Sequence, residues 1–186
     1  MTLKADAITV RGIMDQFVKD ETVKKKLRFI CEKERNDWEK WLQLELEYFM
    51  CNLDGIEVDR EIEAFPDNRM LKDRYKMYID LAFRKKRTRQ NSFIFLELKC
   101  TNSVPYLIRG FERDITKINA LKACIYEQRS FWCVGFHRNC TERSVSQIND
   151  YVKKWDYGYH EVIKLCDCSD DVDCGCEDNK LGFAVI

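Results

Sequence analysis

Two apolar runs, KMYIDLAF (76–83) and SFIFLELKC (92–100), constrain this chain more than any other feature, because each carries charge inside what otherwise reads as a buried strand. Side chains of a strand alternate between its two faces. Phe93, Phe95, Glu97 and Lys99 therefore share one face of the second run, while Ile94, Leu96 and Leu98 share the other. In the first run Ile79, Leu81 and Phe83 lie on one face, and Tyr78, Asp80 and Ala82 on the other. The intervening RKKRTRQN is polar and basic, which suits a hairpin loop. An antiparallel pair joined in this way brings Asp80 near Glu97. Two carboxylates and an ammonium then converge on one face, and a fold that buries them must supply partners.

The pattern around these runs predicts helices before the sheet and more sheet after it. Residues 10–34 read as a helix with Ile13, Phe17, Leu27 and Ile30 as its apolar points. Asn36 or Asp37 is placed to cap a second helix, DWEKWLQLELEYFM, which runs to about Met50. Asp54-Gly55 is a turn signal, and IEVDREIEAF (56–65) is an imperfectly alternating strand. In FERDITKINALKACIYEQR, Phe111, Ile115, Ile118, Leu121 and Ile125 form a helical stripe. SFWCVGFH (130–137) is a further strand, residues 144–155 a helix, and YHEVIKL and LGFAVI two closing strands. With 186 residues, 45% of them hydrophobic, the chain can bury the core of a single domain. The order of elements predicts an α/β fold with a mixed central sheet flanked by helices.

Composition excludes little. The 32 basic and 32 acidic residues cancel, so net charge neither favours nor opposes a polyanionic partner. No apolar run approaches the roughly 20 residues of a membrane span, and MTLKADAITVRG lacks the apolar core of a secretory signal. The expectation is a cytoplasmic protein with no membrane partner, whose cysteines stay reduced.

Paired carboxylates repel, and a divalent cation relieves that repulsion. Mg²⁺ suits Asp80 and Glu97, because it takes a few carboxylate oxygens and keeps waters that a phosphate can replace. Lys99 would orient or deprotonate a water, or neutralise phosphate charge. As an isolated feature, a Glu-x-Lys pair is more often a weak surface ion pair. Three observations argue against that here. Asp80 is an acid in mid-strand, and Glu45 falls within the Trp38, Trp41, Leu42 and Phe49 stripe of the helix before the sheet. The third is the basic stretch Arg84, Lys85, Lys86, Arg87 and Arg89, which would contact phosphates or else form a solvated hairpin tip.

An acidic helix, a strand, Asp80 in the second strand, Glu97-Leu98-Lys99 in the third, then an amphipathic helix and a strand resemble the restriction-endonuclease-like, or PD-(D/E)XK, nuclease superfamily. The resemblance covers roughly residues 36–137. It implies that Asp80 and Glu97 are metal ligands together with the Leu98 carbonyl, and that Lys99 positions the nucleophilic water. Glu45 would match the acid that many members carry on their first helix, with Glu39 as the substitute if the helix phase differs. It further implies hydrolysis of phosphodiester bonds, mostly in DNA, using Mg²⁺ or Mn²⁺, with RNA a second possible substrate. Ile79, not proline, precedes Asp80; the literal Pro66-Asp67 lies in FPDNR, which reads as a turn and therefore as a decoy. Lys122 lies near the later helical stripe but fits a snorkelling surface lysine better.

LCDCSDDVDCGCEDN (165–179) stands apart. Cys166, Cys168, Cys174 and Cys176 are candidate ligands of a structural Zn²⁺, although C-x-C is tighter than the usual C-x2-C. A flexible acidic loop with incidental cysteines is the plainer reading, and its acids would repel DNA. His137 and His160 read as core or rim residues. The organisation expected is an N-terminal helical segment over 1–35, a PD-(D/E)XK-like core over 36–165, and an acidic Cys-rich loop with a closing strand over 166–186. The function expected is a metal-dependent endonuclease, alone, as a homodimer or with a partner subunit. The alternative is a silent nucleic-acid- or protein-binding module on the same fold.

Overall fold

A computed structural model describes residues 2–71, 75–87, 91–166, 168 and 179–186. Three helices come first: α1 (Leu3–Lys19), α2 (Glu21–Glu32) and α3 (Glu39–Cys51). Strands β1 (Ile56–Pro66), β2 (Met77–Lys85) and β3 (Ser92–Thr101) follow, then α4 (Val104–Asn119), β4 (Leu121–Cys124), β5 (Glu127–His137), α5 (Glu142–Val152), β6 (Tyr159–Lys164) and β7 (Lys180–Val185). They form a single α/β domain around a mixed seven-stranded sheet, ordered β4-β1-β2-β3-β5-β7-β6. β1, β2 and β3 are successive antiparallel neighbours. β3 and β5 run parallel, as a crossover through α4 requires.

The helix expected over 10–34 is two helices. Asp20 leaves the helical conformation, and its carboxylate accepts the N–H groups of Thr22 and Val23 at 2.9 and 3.0 Å, so one residue ends α1 and caps α2. These helices pack on the sheet together with α3. Met14, Phe17 and Leu27 join Leu42 and Leu46 of α3 against Leu81, Phe83, Leu96 and Leu98 of the sheet. On the opposite face, Val104, Leu107 and Phe111 of α4 pack with Ile148 and Tyr151 of α5 and with Cys133 and Ala184 of the sheet.

The later helix is displaced from its predicted place. It begins at Val104, with Pro105 in its first turn where no amide donor is needed, and it stops at Asn119. Leu121 belongs to β4 and Ile125 is exposed, so the last two points of the expected stripe are not helical. Close approach of α4 to the sheet depends on Gly135. A Cβ there would stand 2.3 Å from Leu107 and 2.6 Å from Phe111.

Candidate active site

β2 accompanies β3 only part of the way. Leu81, Ala82 and Phe83 pair with Leu96, Phe95 and Ile94. Beyond Leu96, the β3 amides facing that side are taken by carboxylates instead of a strand. Asp80 Oδ2 accepts the Leu98 N–H at 2.7 Å, and Glu39 Oε2 accepts the Cys100 N–H at 3.2 Å. Two acids from different elements are thus fixed by backbone donors that would otherwise lack partners.

Glu97 and Lys99 point to the α4 side. Glu97 is completely buried and its Oε2 receives Lys117 Nζ of α4 at 2.5 Å. Lys117 also donates to the Tyr78 carbonyl at 2.8 Å. Lys99 Nζ lies 3.4 Å from Asp114 Oδ2, 3.5 Å from Glu39 Oε1 and 3.1 Å from the Leu98 carbonyl. Gly110 makes room for it, since a Cβ there would meet the Lys99 stem at 3.1 Å. Lys99, Glu39, Asp114 and Lys117 line a cleft of about 830 Å³ whose other walls include Asn36, Tyr106 and Arg113. Glu97 lies behind this wall.

The cluster is over-acidic. Four carboxylates, on Glu39, Asp80, Glu97 and Asp114, face two ammonium groups, on Lys99 and Lys117. Burial, reinforced by the charge of Asp80, pushes the Glu97 carboxyl up to about 8. Burial also raises Asp114 to about 6, against the pull of Lys99 and Lys117. For Lys99, burial favours the neutral amine, but Asp114, Glu39, Asp80 and Glu97 outweigh it and hold the ammonium above its ordinary range.

Asp80, Glu97, Leu98 and Lys99 are brought together as the strand alternation predicted. Glu45 is not. It faces Lys26 of α2 at 2.6 Å, whereas Glu39, six residues earlier, reaches β3. The phase of the helix decides this: its buried residues are Leu42, Gln43, Leu46 and Met50, and Glu39 lies on that face three residues before Leu42. Lys122 is exposed on β4, and Lys117 is the lysine of this region that enters the cluster. Asp67 of the FPDNR turn pairs with Arg69 at 2.7 Å, outside the cluster. The basic stretch opens at the far end of the β2–β3 hairpin, with Lys85 five residues from Asp80, about 16 Å along the strand. Arg84 turns inward to Glu57 at 2.6 Å, and Lys85, Lys86 and Arg87 are exposed. Arg89 lies outside the described residues.

Asp114 and Lys117 went unread in the sequence. Asp114 falls between Phe111 and Ile118 at steps of three and four, the same inward-acid signal that drew attention to Glu45.

Among the described residues, no group of three or more His, Cys, Asp or Glu side chains is spaced to hold a metal ion. A smaller donor set does suit a hard cation. Asp80 and Glu97 lie within electrostatic reach of one another, and Glu97 Oε1 is buried with no hydrogen-bond partner. Mg²⁺ needs one or two carboxylates and retains water in its other positions. Of the proposed zinc ligands, Cys166 is half-buried and Cys168 exposed, and Cys174 and Cys176 lie outside the described residues. Among the described residues no helix is long and apolar enough to cross a membrane. Comparison with protein-family models, with characterised proteins and with solved structures finds no match.

Proposed function

We propose that this chain is a metal-dependent endonuclease that hydrolyses nucleic-acid phosphodiester bonds, DNA before RNA, on a restriction-endonuclease-like fold. The observation that supports the reading is the over-acidic cluster at the free edge of β3, in which buried Glu97 and Asp114 and half-buried Asp80 and Glu39 gather around Lys99 and Lys117. A domain has little structural reason to gather four acids, two of them buried, around two lysines beside an open cleft.

In this reading Asp80, Glu97 and the Leu98 carbonyl hold Mg²⁺ or Mn²⁺. The ion supplies Lewis acidity toward a phosphoryl oxygen and toward water. The chain's own residues do the rest. Lys99, held as an ammonium by Glu39 and Asp114, is a fixed positive charge in the cleft that meets negative charge developing on the phosphate. Its ion pairs suit it to stabilising charge and orienting water rather than removing a proton. Glu39 positions Lys99 while remaining tied to the Cys100 amide. Lys117 neutralises Glu97 and ties α4 to β2 through the Tyr78 carbonyl, so it sets the width of the cleft on that side.

Lys99→Ala is expected to reduce Mg²⁺- or Mn²⁺-dependent cleavage of supercoiled, linear and single-stranded DNA at least about a hundredfold, measured below the melting temperature of the variant in chelator. Equal cleavage by both proteins would sink this assignment of the site.

The Lys117–Glu97 contact favours one second reading. With an ammonium already seated on the central acid, the domain would bind nucleic acid or a protein without cutting it. That reading predicts no stabilisation by Mg²⁺ or Mn²⁺, where the nuclease predicts a rise in melting temperature.

A further inference from the structure

On the other side of the wall that carries Glu39 lies a second cavity, of about 490 Å³, between α2 and α3. Its surface combines aromatic side chains with basic ones: Phe29, Trp38 and Trp41 beside Lys25, Lys26 and Arg35. Phe29 is 53% exposed, which is high for a phenylalanine on a helix that packs against a core. Trp41 is half-buried and stands 6.4 Å from the buried Trp38, tilted by 42°. Lys26 is already neutralised by Glu45, while Lys25 and Arg35 are exposed.

The segment 35–39 has two sides. Arg35, Asp37 and Trp38 line this pocket, whereas Asn36 and Glu39 line the cleft. A chain that places a phosphate against Lys99 therefore has the aromatic pocket next to it, within a few residues along this wall. Planar apolar surface beside cations suits a nucleobase with its attached phosphate. Stacking on an aromatic face contributes sequence-tolerant affinity, and lysine or arginine meets the backbone charge. A base inside a duplex cannot reach such a pocket, because both of its faces are already stacked.

We infer that this pocket holds one unstacked base of a single-stranded or splayed nucleic acid, on Trp41 and Phe29, with its phosphate facing Lys25 and Arg35. The inference rests on the nuclease reading only for what lies in the cleft; binding in the pocket needs no metal. It narrows the substrate class from any phosphodiester to single strands, ends or junctions.

The test is binding of a fluorescently labelled oligothymidine to the full chain in chelator, by anisotropy, with no cleavage possible. Trp41→Ala is expected to weaken binding about tenfold and Trp41→Phe, which keeps an aromatic face, by much less. An oligomer of the same length with abasic sites should bind the wild type and Trp41→Ala with the same reduced affinity. If Trp41→Ala proves unfolded by its melting curve, Lys25→Glu with Arg35→Glu serves instead and should also weaken binding at least tenfold. Equal affinity for the thymidine and abasic oligomers, or no binding at all, would overturn the pocket.

Cleavage by wild type and Lys99→Ala, measured in parallel with Mg²⁺, separates the two claims. Base-dependent binding without any cleavage upholds the pocket and defeats the nuclease reading. Lys99-dependent cleavage without base-dependent binding does the reverse.

Discussion

At the start of β5, Arg129 grips the Asp6 carboxylate of α1 with two nitrogens, at 3.0 and 2.9 Å. Ser130 Oγ donates to the same carboxylate at 2.8 Å, and Trp132 Nε1 donates to Ser130 in turn. One acid meets one guanidinium and the chain of donors ends there. Three residues further along the neighbouring strand, the cluster around Glu97 has four acids for two lysines. Glu97 Oε1 has no hydrogen bond, and neither has Asp6 Oδ1, although the Arg129 guanidinium lies 2.9 Å from the latter. Both groups have buried acids at their centre, Asp6 in one and Glu97 with Asp114 in the other, so burial of these acids alone does not explain the difference. A structural ion pair closes on itself because any excess charge in the interior costs stability. The excess at β3 lies beside a cleft lined by Glu39 and Asp114.

Breaking the closed pair should have the largest effect on stability. Asp6→Ala leaves Arg129 buried without its partner and should destabilise the fold by about 4 kcal/mol, or roughly 12 °C in melting temperature for a chain of this size. The loss should be the same with and without Mg²⁺. A loss that Mg²⁺ restored would mean that the two clusters are coupled and that the contrast drawn above is false.

A second closed pair sharpens the contrast through pH. The Nε2 atoms of His137 and His160 lie 2.9 Å apart, His137 Nδ1 contacts the Asn139 carbonyl at 2.9 Å, and His160 Nδ1 contacts Asn149 Oδ1 at 3.1 Å. A single proton between the two Nε2 atoms satisfies the pair, and a second would set two N–H donors against each other and leave a buried positive charge. Burial lowers His137 to about 4; burial and then its neighbour lower His160 to about 4. The unfolded chain takes up these protons near pH 6.5 and the folded chain only near 4, so the contribution is complete above pH 6.5 and is lost as pH falls toward 4. For each ring this is on the order of 3 kcal/mol. The raised carboxyls of Glu97 and Asp114 tilt stability the opposite way, because the folded state holds their protons more tightly. The measurement is therefore the difference between wild type and His160→Gln in chemical denaturation from pH 7.5 to 4.5. A difference independent of pH would show that the pair is not held neutral.

What the sequence disclosed about these regions followed the reach of local pattern. Alternation placed Asp80 on the face of Glu97 and Lys99, because period two is rigid and a hairpin leaves little choice of register. It did not disclose Glu39 over Glu45. The Trp38, Trp41, Leu42 and Phe49 stripe put Glu45 on the inner face. The face that is buried is Leu42, Gln43, Leu46 and Met50, to which Glu39 belongs by steps of three, four and seven, and Glu45 meets Lys26 of another helix. Asp114 and Lys117 were obscured because Phe111, Ile115 and Ile118 of α4 run on in sequence into Leu121 of β4 and Ile125 beyond it, and the joined stripe set the wrong helical phase. Asp6 and Arg129, 123 residues apart, have no local signature at all.

The smallest effect bears most directly on the comparison. Glu97→Gln keeps the shape of the side chain and removes its ionisable group, so the repulsion from Asp80 disappears while an amide oxygen remains to accept from Lys117. If the acid at this position serves a metal at the expense of the fold, the variant should be slightly more stable in chelator, by about 1 kcal/mol. It should also lose any rise in melting temperature with Mg²⁺ or Mn²⁺. Lys117 would retain its bond to the Tyr78 carbonyl, so α4 should stay in place. Destabilisation as large as that of Asp6→Ala would show instead that Glu97 and Lys117 form a closed structural pair like the one at β5. The cluster at β3 would then be a scaffold, and the binding module would account for this fold better than the nuclease.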